Sequence, residues 1–150
     1  MSRRSFRFRP RFRGLALGSL GLGTGLVALG GLLAIPVALA GGGLGMVFGG
    51  LYLRSPAWRI AVHVDDDALE VTAGADRRFL LAWSDVKEVV ASPSTKTCFV
   101  DGGDPQRSLL VPGQGAPAPY DIEGKAELYD QIVAHVGREK IREVAVLTNA

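Results

Sequence analysis

Residues 14–53 read GLALGSLGLGTGLVALGGLLAIPVALAGGGLGMVFGGLYL and contain no Asp, Glu, Lys, Arg or His. As one helix this stretch would be about 60 Å long, roughly twice the hydrocarbon thickness of a bilayer. Two spans fit that thickness better. Pro36 divides the stretch, because proline disfavours helical geometry in the residue before it and is well tolerated at the start of a helix. The sequence therefore predicts a transmembrane helical hairpin, with helices at about residues 14–34 and 36–53.

The charges on either side of this stretch predict its orientation. Residues 54–150 carry eleven basic and fifteen acidic residues, a formal charge of −4, although the whole chain has +2. Residues 1–13 are interpreted as a basic arm with no acidic residue and six arginines: Arg3, Arg4, Arg7, Arg9, Arg11 and Arg13. Arg54 follows the second span. Since arginines that flank membrane spans stay on the cytoplasmic side, we expect a multi-pass protein of the cytoplasmic (inner) membrane with both termini cytoplasmic.

Thirteen glycines lie within the uncharged stretch, and some share a helical face. Gly41, Gly45 and Gly49 recur every four residues, a spacing that lets two helix backbones approach closely in lipid. We expect these glycines to mediate helix packing, either within the hairpin or between copies of the chain. Because glycine is common in membrane helices, the spacing alone does not distinguish the two arrangements.

An export signal is the alternative interpretation of the N-terminal region. Arg3 and Arg4 resemble the start of a twin-arginine signal, and residues 38–40, Ala-Leu-Ala, resemble a signal-peptidase site. Cleavage there would leave a mature protein that begins with thirteen uncharged residues, which is an unfavourable start for a soluble chain. The hairpin anchor is therefore favoured over the export signal.

Residues 54–150 are predicted to form a soluble α+β domain. Short runs rich in β-branched residues alternate with turns rich in Asp and Gly, a pattern that predicts antiparallel strands. A helix is expected at about residues 121–136, where apolar residues recur on one face and Asp121 could cap the first turn. Residues 141–147 fit either a strand or a short helix. The expected strands are at residues 58–64, 68–73, 77–82, 86–92, 96–100 and 108–111.

A family resemblance rests on residues 63–92, HVDDDALEVTAGADRRFLLAWSDVKEVVAS. A strand–turn–strand is followed there by Ala82-Trp83-Ser84-Asp85-Val86, which resembles bacterial pleckstrin-homology-like (PH-like) domains. Two membrane helices precede the domain in many such proteins. The resemblance covers about residues 58–137 and the hairpin. It implies a bent seven-stranded antiparallel sheet or barrel, closed at one end by the amphipathic helix, with Trp83 as a core or corner residue.

The candidate reactive groups do not form a catalytic, cofactor-binding or metal-binding constellation in the sequence. Asp65, Asp66 and Asp67 lie in one turn near His63, but consecutive turn residues point in different directions. Phosphoinositide-binding PH domains supply lysines and arginines from this first loop, so its acidic residues argue against that ligand. Cys98 lies within a predicted strand without a histidine at a useful spacing, so it is interpreted as a buried thiol.

Together these features predict a membrane-anchored α+β protein that is not an enzyme and needs no cofactor. The expected role is a PH-like binding or scaffold module at the cytoplasmic membrane face. Its expected partners are the lipid bilayer and either another protein or its own copies, bound through a strand edge or a sheet–helix groove. Nucleic acid is not expected, because the folded part has no basic face. The alternative functions are a structural subunit that self-associates through the glycine-rich hairpin, or an exported protein.

Overall fold

The computed structural model describes residues 3–147, which divide into two compact units. One unit comprises residues 10–58 and is helical. The other combines residues 3–9 with residues 59–147 and contains both sheets.

The helical unit is an antiparallel pair of helices, α1 (Arg13–Leu32) and α2 (Pro36–Leu53). Ala34, in the connection, adopts a left-handed φ of 53°, and the Ile35 N–H donates to the Gly30 carbonyl oxygen at 2.9 Å. A left-handed residue with this hydrogen bond is a common way to end a helix. Proline then occupies the first position of α2, where its missing N–H has no intrahelical partner to lose. Both helices lie close to the boundaries expected from the sequence.

Both helices are long and apolar enough to cross a membrane. Their most apolar 18-residue windows have mean hydropathies of 1.7 and 1.5. Only 17% and 11% of the residues in these windows are buried. A core helix of a soluble domain would be mostly buried, whereas these helices leave large apolar side chains such as Leu32 (82%) and Val37 (81%) exposed.

The larger sheet contains the first four strands of the chain and one later strand, in the order β4-β3-β2-β1-β8. Strand β1 pairs antiparallel with β2, β2 with β3, and β3 with β4. The acidic turn joins β2 to β3, with the Asp65 N–H donating to the Ala68 carbonyl oxygen at 3.0 Å. The strands are β1 (Arg4–Pro10), β2 (Ile60–Val64), β3 (Ala68–Ala73), β4 (Asp76–Ala82) and β8 (Tyr120–Ile122).

The N-terminal segment differs from the separate basic arm expected from the sequence. Arg4–Pro10 forms a strand inside the larger sheet, between β2 and β8. Phe6 and Phe8 point into the core and are 5% and 8% exposed, while Arg7 between them and Arg9 after them remain exposed. Alternating burial is the pattern of a strand with one face on a core. The arginines dominated the sequence interpretation, although the intervening phenylalanines determine where the segment packs.

The smaller sheet has the order β7-β6-β5-β9. Its first three strands pair antiparallel, and β9 pairs with β5 in parallel, so the sheet is mixed. The single seven-stranded sheet or barrel implied by the resemblance is therefore replaced by two sheets, and neither closes into a barrel within residues 3–147. The strands are β5 (Glu88–Ser92), β6 (Thr97–Asp101), β7 (Leu109–Val111) and β9 (Ile141–Glu143).

The third helix, α3 (Lys125–His135), is shorter than the helix expected at residues 121–136. Tyr120–Ile122 forms β8 beside β1 instead, and the Phe8 and Tyr120 rings stack with centroids 4.5 Å apart. Asp121 does not cap the helix, because α3 begins after Gly124, which has a left-handed φ of 67°. The helix start was misplaced because β1 was not expected in the domain, so a partner strand for residues 120–122 was not considered.

The core of the sheet-containing unit is formed by the inner faces of both sheets and by α3, which contacts β2 and β7. Trp83 is buried there, and its Nε1–H donates to the Asp65 carbonyl oxygen at 3.0 Å. The largest fully buried side chains include Leu69, Leu81, Leu128, Ile132, Val62, Val86, Val89, Val100 and Val111.

Candidate membrane anchor and binding surfaces

The interface between α1 and α2 is built on glycine. A Cβ added at Gly23 would lie 2.6 Å from the Gly42 carbonyl oxygen, and a Cβ at Gly42 would lie 2.6 Å from the Gly23 carbonyl oxygen. Ala16, Gly23 and Gly30 are the buried residues of α1, seven residues apart. Such spacing keeps one face of a helix against its neighbour, and small residues let the two backbones touch.

Two of the three glycines expected to pack lie in this interface. The Ser19 hydroxyl donates to the Gly45 carbonyl oxygen at 2.9 Å, and a Cβ at Gly49 would lie 2.8 Å from the Ala16 carbonyl oxygen. Gly41 does not belong to the interface, because a Cβ there would meet no atom within 4 Å. Its place is taken by Gly42, which lies seven residues before Gly49.

A second set of glycines faces away from the hairpin interface. Added Cβ atoms at Gly14, Gly18, Gly21 and Gly25 of α1 would meet nothing within 4 Å. These residues are spaced by four, three and four positions, so they form one stripe along the helix.

Aromatic and basic residues cluster at the end of the hairpin where both helices join the rest of the chain. The Tyr52 hydroxyl accepts a hydrogen bond from the Phe12 N–H at 3.0 Å, and the Trp58 Nε1–H donates to the Tyr52 carbonyl oxygen at 2.6 Å. Arg13 and Arg54 are exposed at the same end. This combination is typical of helix ends at a membrane–water interface.

Glu70 is the most buried charged side chain in the larger sheet. Its carboxylate, 10% exposed, forms ion pairs with Arg3 and with Arg77, whose Nε lies 2.7 Å from Oε1. The hydrogen bond from Arg77 lowers the pKa of Glu70, and burial opposes that shift. His63 lies opposite Glu70 on β2, with Nε2 3.2 Å from the Thr72 hydroxyl, and burial lowers its pKa. The cluster has the character of a satisfied ion-pair network.

Five exposed arginines lie at the end of the larger sheet where β1 finishes and β2 begins. The cross-strand register places Arg7 opposite Ala61 and Arg77 opposite Thr72. The Arg59 carbonyl oxygen accepts a hydrogen bond from the Gly74 N–H at 2.9 Å, which brings the β3–β4 turn to the same end. We call this set the arginine end; it consists of Arg7, Arg9, Arg59, Arg77 and Arg78.

The acidic turn occupies the opposite end of the same sheet. Its three carboxylates diverge: Asp65 lies 3.8 Å from Arg3, and Asp66 lies 3.9 Å from His135 Nε2. The His135 ring stacks on Trp83 with centroids 5.1 Å apart. Because the three carboxylates diverge, the turn acts as a charged surface that is linked to α3 through His135.

A groove of about 880 Å³ separates α3 from the strand β9. Both apolar and charged side chains line it. One wall carries Tyr129, Val133 and Val136, and the other carries Ile141 and Glu143. Because β9 is an edge strand of the smaller sheet, its outer edge has no strand partner among residues 3–147, and such an edge can accept an added strand.

The buried reactive groups are shielded from solvent. Cys98 is fully buried on β6, and burial raises the pKa of its thiol to about 12. Burial likewise raises the pKa of Tyr120 to about 12, and the Tyr120 hydroxyl donates to the Leu110 carbonyl oxygen at 2.8 Å. Among residues 3–147, no group of three His, Cys, Asp or Glu side chains converges as a metal site would require.

The arginine end was missed at the level of sequence, where the folded part was expected to have no basic face. A strand edge or a sheet–helix groove was expected as the contact surface, but β9 was not identified as part of it. The alternation of Phe6 and Phe8 with Arg7 and Arg9 is a strand signal that could have placed β1 in the domain. The groove depends on the parallel pairing of β9 with β5. These strands are about fifty residues apart in sequence, so no local sequence pattern predicts their pairing. Comparison of the chain with protein-family models, with curated proteins and with solved structures found no match.

Proposed function

We propose that this chain is a membrane-anchored, PH-like binding or scaffold module, held at the cytoplasmic face of the inner membrane by its helical hairpin. The observation that carries the proposal is the insertion of the hairpin between β1 and β2. These strands are hydrogen-bonded neighbours in one sheet. Both ends of the hairpin therefore continue into the same folded domain. A hairpin anchor requires this arrangement, whereas a single span would place its two ends on opposite sides of the membrane.

The exposed surface of the two helices supports membrane insertion. Large apolar side chains cover the face of each helix that is not packed on the other, including Leu15, Leu22, Phe48 and Leu51 at 67–71% exposure. A contiguous apolar surface of this kind is rare on soluble monomers. The length of each helix also matches the thickness of a bilayer.

The cytoplasmic orientation is supported by the residues that flank the helices. Arg11 precedes α1, Arg13 is its first residue, and Arg54 and Arg59 follow α2, with no acidic residue between these arginines and the helices. The connection between the helices, residues 33–35, is uncharged. The bias of arginine towards one end of both spans favours that end as the cytoplasmic one.

The binding surface that we propose is the groove between α3 and β9, together with the β9 edge. A groove of this size accommodates side chains of an extended peptide, while the edge strand offers backbone hydrogen bonds. The PH-like assignment is supported by the resemblance of residues 58–137, and by Trp83, which packs after a strand–turn–strand as that resemblance implies.

Membrane extraction and site-specific photo-crosslinking test this proposal. The chain is expected to stay in the membrane pellet at alkaline carbonate, and a photoreactive residue at Ala134 in the groove should form a discrete adduct in cells. The same residue at exposed Gln106, away from the groove, is the matched control. Release by carbonate would contradict the anchor, and equal adducts from both positions would contradict the groove as the binding surface.

A structural subunit that self-associates in the bilayer is the second candidate, and the outward glycine stripe favours it. The double variant Gly18→Leu/Gly25→Leu would fill that stripe. Gly31→Leu/Gly43→Leu is the matched control, because these two glycines also lack neighbours but lie off the stripe. Loss of self-association in the first variant alone supports this role, and unchanged association in both variants opposes it.

The export alternative is less well supported than the anchor. Cleavage after residue 40 would separate β1 from the sheet and leave the core positions of Phe6 and Phe8 empty. Arg3 and Arg4, the twin-arginine pair of that alternative, form ion pairs with Glu70 and Glu127. An uncleaved chain retains both sets of contacts.

A further inference from the structure

We infer that the arginine end of the larger sheet is a docking surface for anionic phospholipid headgroups of the bilayer that holds the hairpin. This inference rests on the proposed membrane anchor and adds a lipid specificity to it. The surface is separate from the groove between α3 and β9, so one copy of the domain could use both.

Most arginines of this end have no ion-pair partner among residues 3–147. Arg7, Arg59 and Arg78 are exposed and form no ion pair with any residue in the described range 3–147. Arg9 is paired with Glu123, and Arg77 is paired with Glu70. The remaining acid at this end is Asp76, so the local charge is positive. Unpaired guanidinium groups present planar, multiple donors that suit phosphate oxygens.

The sheet has opposite charges at its two ends. Asp65, Asp66 and Asp67 occupy the β2–β3 turn, one strand length from the arginine end. An anionic surface would attract one end and repel the other. The charge distribution therefore favours a single orientation of the sheet relative to such a surface.

The short chain connection limits how far Arg9 can lie from α1. Only Pro10–Phe12 separates Arg9 from the first residue of α1, so the two Cα atoms are at most about 14 Å apart. Electrostatic attraction is screened over about 8 Å at physiological ionic strength. Arg9 is thus tethered within about two screening lengths of α1, the helix that we propose enters the bilayer, so anionic headgroups lie within reach of its charge.

The β3–β4 turn offers a position for a reporter. Ala75 is exposed at the tip of this turn, next to Gly74 and the Arg59 carbonyl group. A fluorophore on Ala75→Cys in the full chain would report proximity to a quencher attached to lipid headgroups. Cys98 can stay in place because it is buried. Nanodiscs of phosphatidylcholine, with or without phosphatidylglycerol, provide the neutral and anionic surfaces.

Quenching is expected to be stronger with phosphatidylglycerol and to weaken at high salt. In Arg59→Gln/Arg78→Gln, the ratio of docked to free domain should fall about fivefold for each arginine removed. The control Lys87→Gln/Arg138→Gln removes two exposed cations elsewhere in the domain and should behave like the unmodified chain.

Three results would overturn the inference: quenching that is equal in neutral and anionic discs, quenching that is unchanged in Arg59→Gln/Arg78→Gln, or an equal loss in the control variant. Failure of the proposed anchor would look different. The chain would then not co-purify with nanodiscs of either composition, so the two failures can be separated.

Discussion

Phe8 connects the N-terminal segment to the core, since its ring stacks on Tyr120 and its side chain is almost fully covered. The neighbouring arginines lie on the outer face, where Arg7 has no ion-pair partner among the described residues and Arg9 pairs with Glu123. Strand β1 thus contributes apolar side chains to the core and arginines to the outer face of the sheet. This division follows from the two-residue period of a β-strand.

Cys98 should be unreactive in the folded chain. Burial raises its pKa to about 12, so at pH 8 only about one thiol in ten thousand is ionised. Because the thiolate is the reactive form and the side chain is covered, modification by a disulfide reagent should be at least a hundredfold slower in the native chain than after denaturation. The absorbance of the coloured thiol that the reagent releases measures both rates. Equal rates would contradict the buried position of this residue.

Glu70 should make stability depend on pH in the acidic range. Its pKa is lowered from the ordinary value of 4.5, first by the hydrogen bond from Arg77. The stabilisation is therefore complete above the unfolded-state pKa and is lost as the pH falls through the lower folded-state pKa. Glu70→Gln should cost about 1 kcal/mol at pH 7 and flatten this dependence, as measured by urea unfolding at several pH values.

Asp67→Asn is the control for that measurement, because the Asp67 carboxylate is exposed and forms no ion pair within the described part of the chain. Asp67→Asn should leave the pH dependence of the unfolding free energy in the acidic range unchanged. An unchanged dependence in Glu70→Gln would show that the ion-pair network contributes nothing to folding.

At the scale of elements, the helical hairpin depends on backbone contact. Gly23→Leu would force the two backbones apart, since even a Cβ at this position meets the Gly42 carbonyl oxygen at 2.6 Å. Gly21→Leu adds the same side chain to an open face. The first variant should lose about 2 kcal/mol or more of unfolding free energy, so it should denature at a lower SDS fraction than the unmodified chain. The second variant should denature like the unmodified chain. Tryptophan fluorescence during an SDS titration measures this, and equal sensitivity of both variants would contradict the packing.

The elements that the sequence predicted well are those with a strong local signal. Both hairpin helices follow from the absence of charge and from Pro36, and six strands follow from β-branched runs between turns. The strands that were missed, β1 and β8, depend on distant partners, and β9 lies in residues 141–147, for which the sequence left a strand or a short helix open. Residues 120–122, for example, were interpreted as the first turn of a helix, because local periodicity cannot report that β1 lies beside them.

The candidate site was predictable only in part. The arginines that flank the helices were evident from composition, and Gly45 and Gly49 from their spacing. Gly41 lies outside the hairpin interface, because the observed contact follows the seven-residue spacing of Gly42 and Gly49. The arginine end could not be foreseen, since it combines residues of β1 and β4 with Arg59, which directly precedes β2, and these segments come to one end only in the sheet.

At the scale of the whole molecule, the hairpin takes the place of a β-turn between two neighbouring strands. Arg7 pairs with Ala61, so continuing the register brings residues 9 and 59 opposite each other. Replacing residues 10–58 with Asn-Gly would close the same strands with a two-residue turn. The resulting protein should be soluble and monomeric, with cooperative unfolding and β-rich circular dichroism. An aggregated or unfolded product would contradict the independence of the sheet-containing unit.

A hairpin anchor requires that both of its ends lie on the same side of one membrane. Impermeant maleimide labelling of single-cysteine probes tests it directly, with exposed positions Ser5 on β1, Gln114 after β7 and Ala34 between the helices. Buried Cys98 should stay silent until the chain is denatured. We predict that Ser5→Cys and Gln114→Cys label only in inside-out vesicles, and Ala34→Cys only in right-side-out vesicles. Labelling of Ser5→Cys and Gln114→Cys from opposite sides, or of all three from one side, would contradict the hairpin anchor.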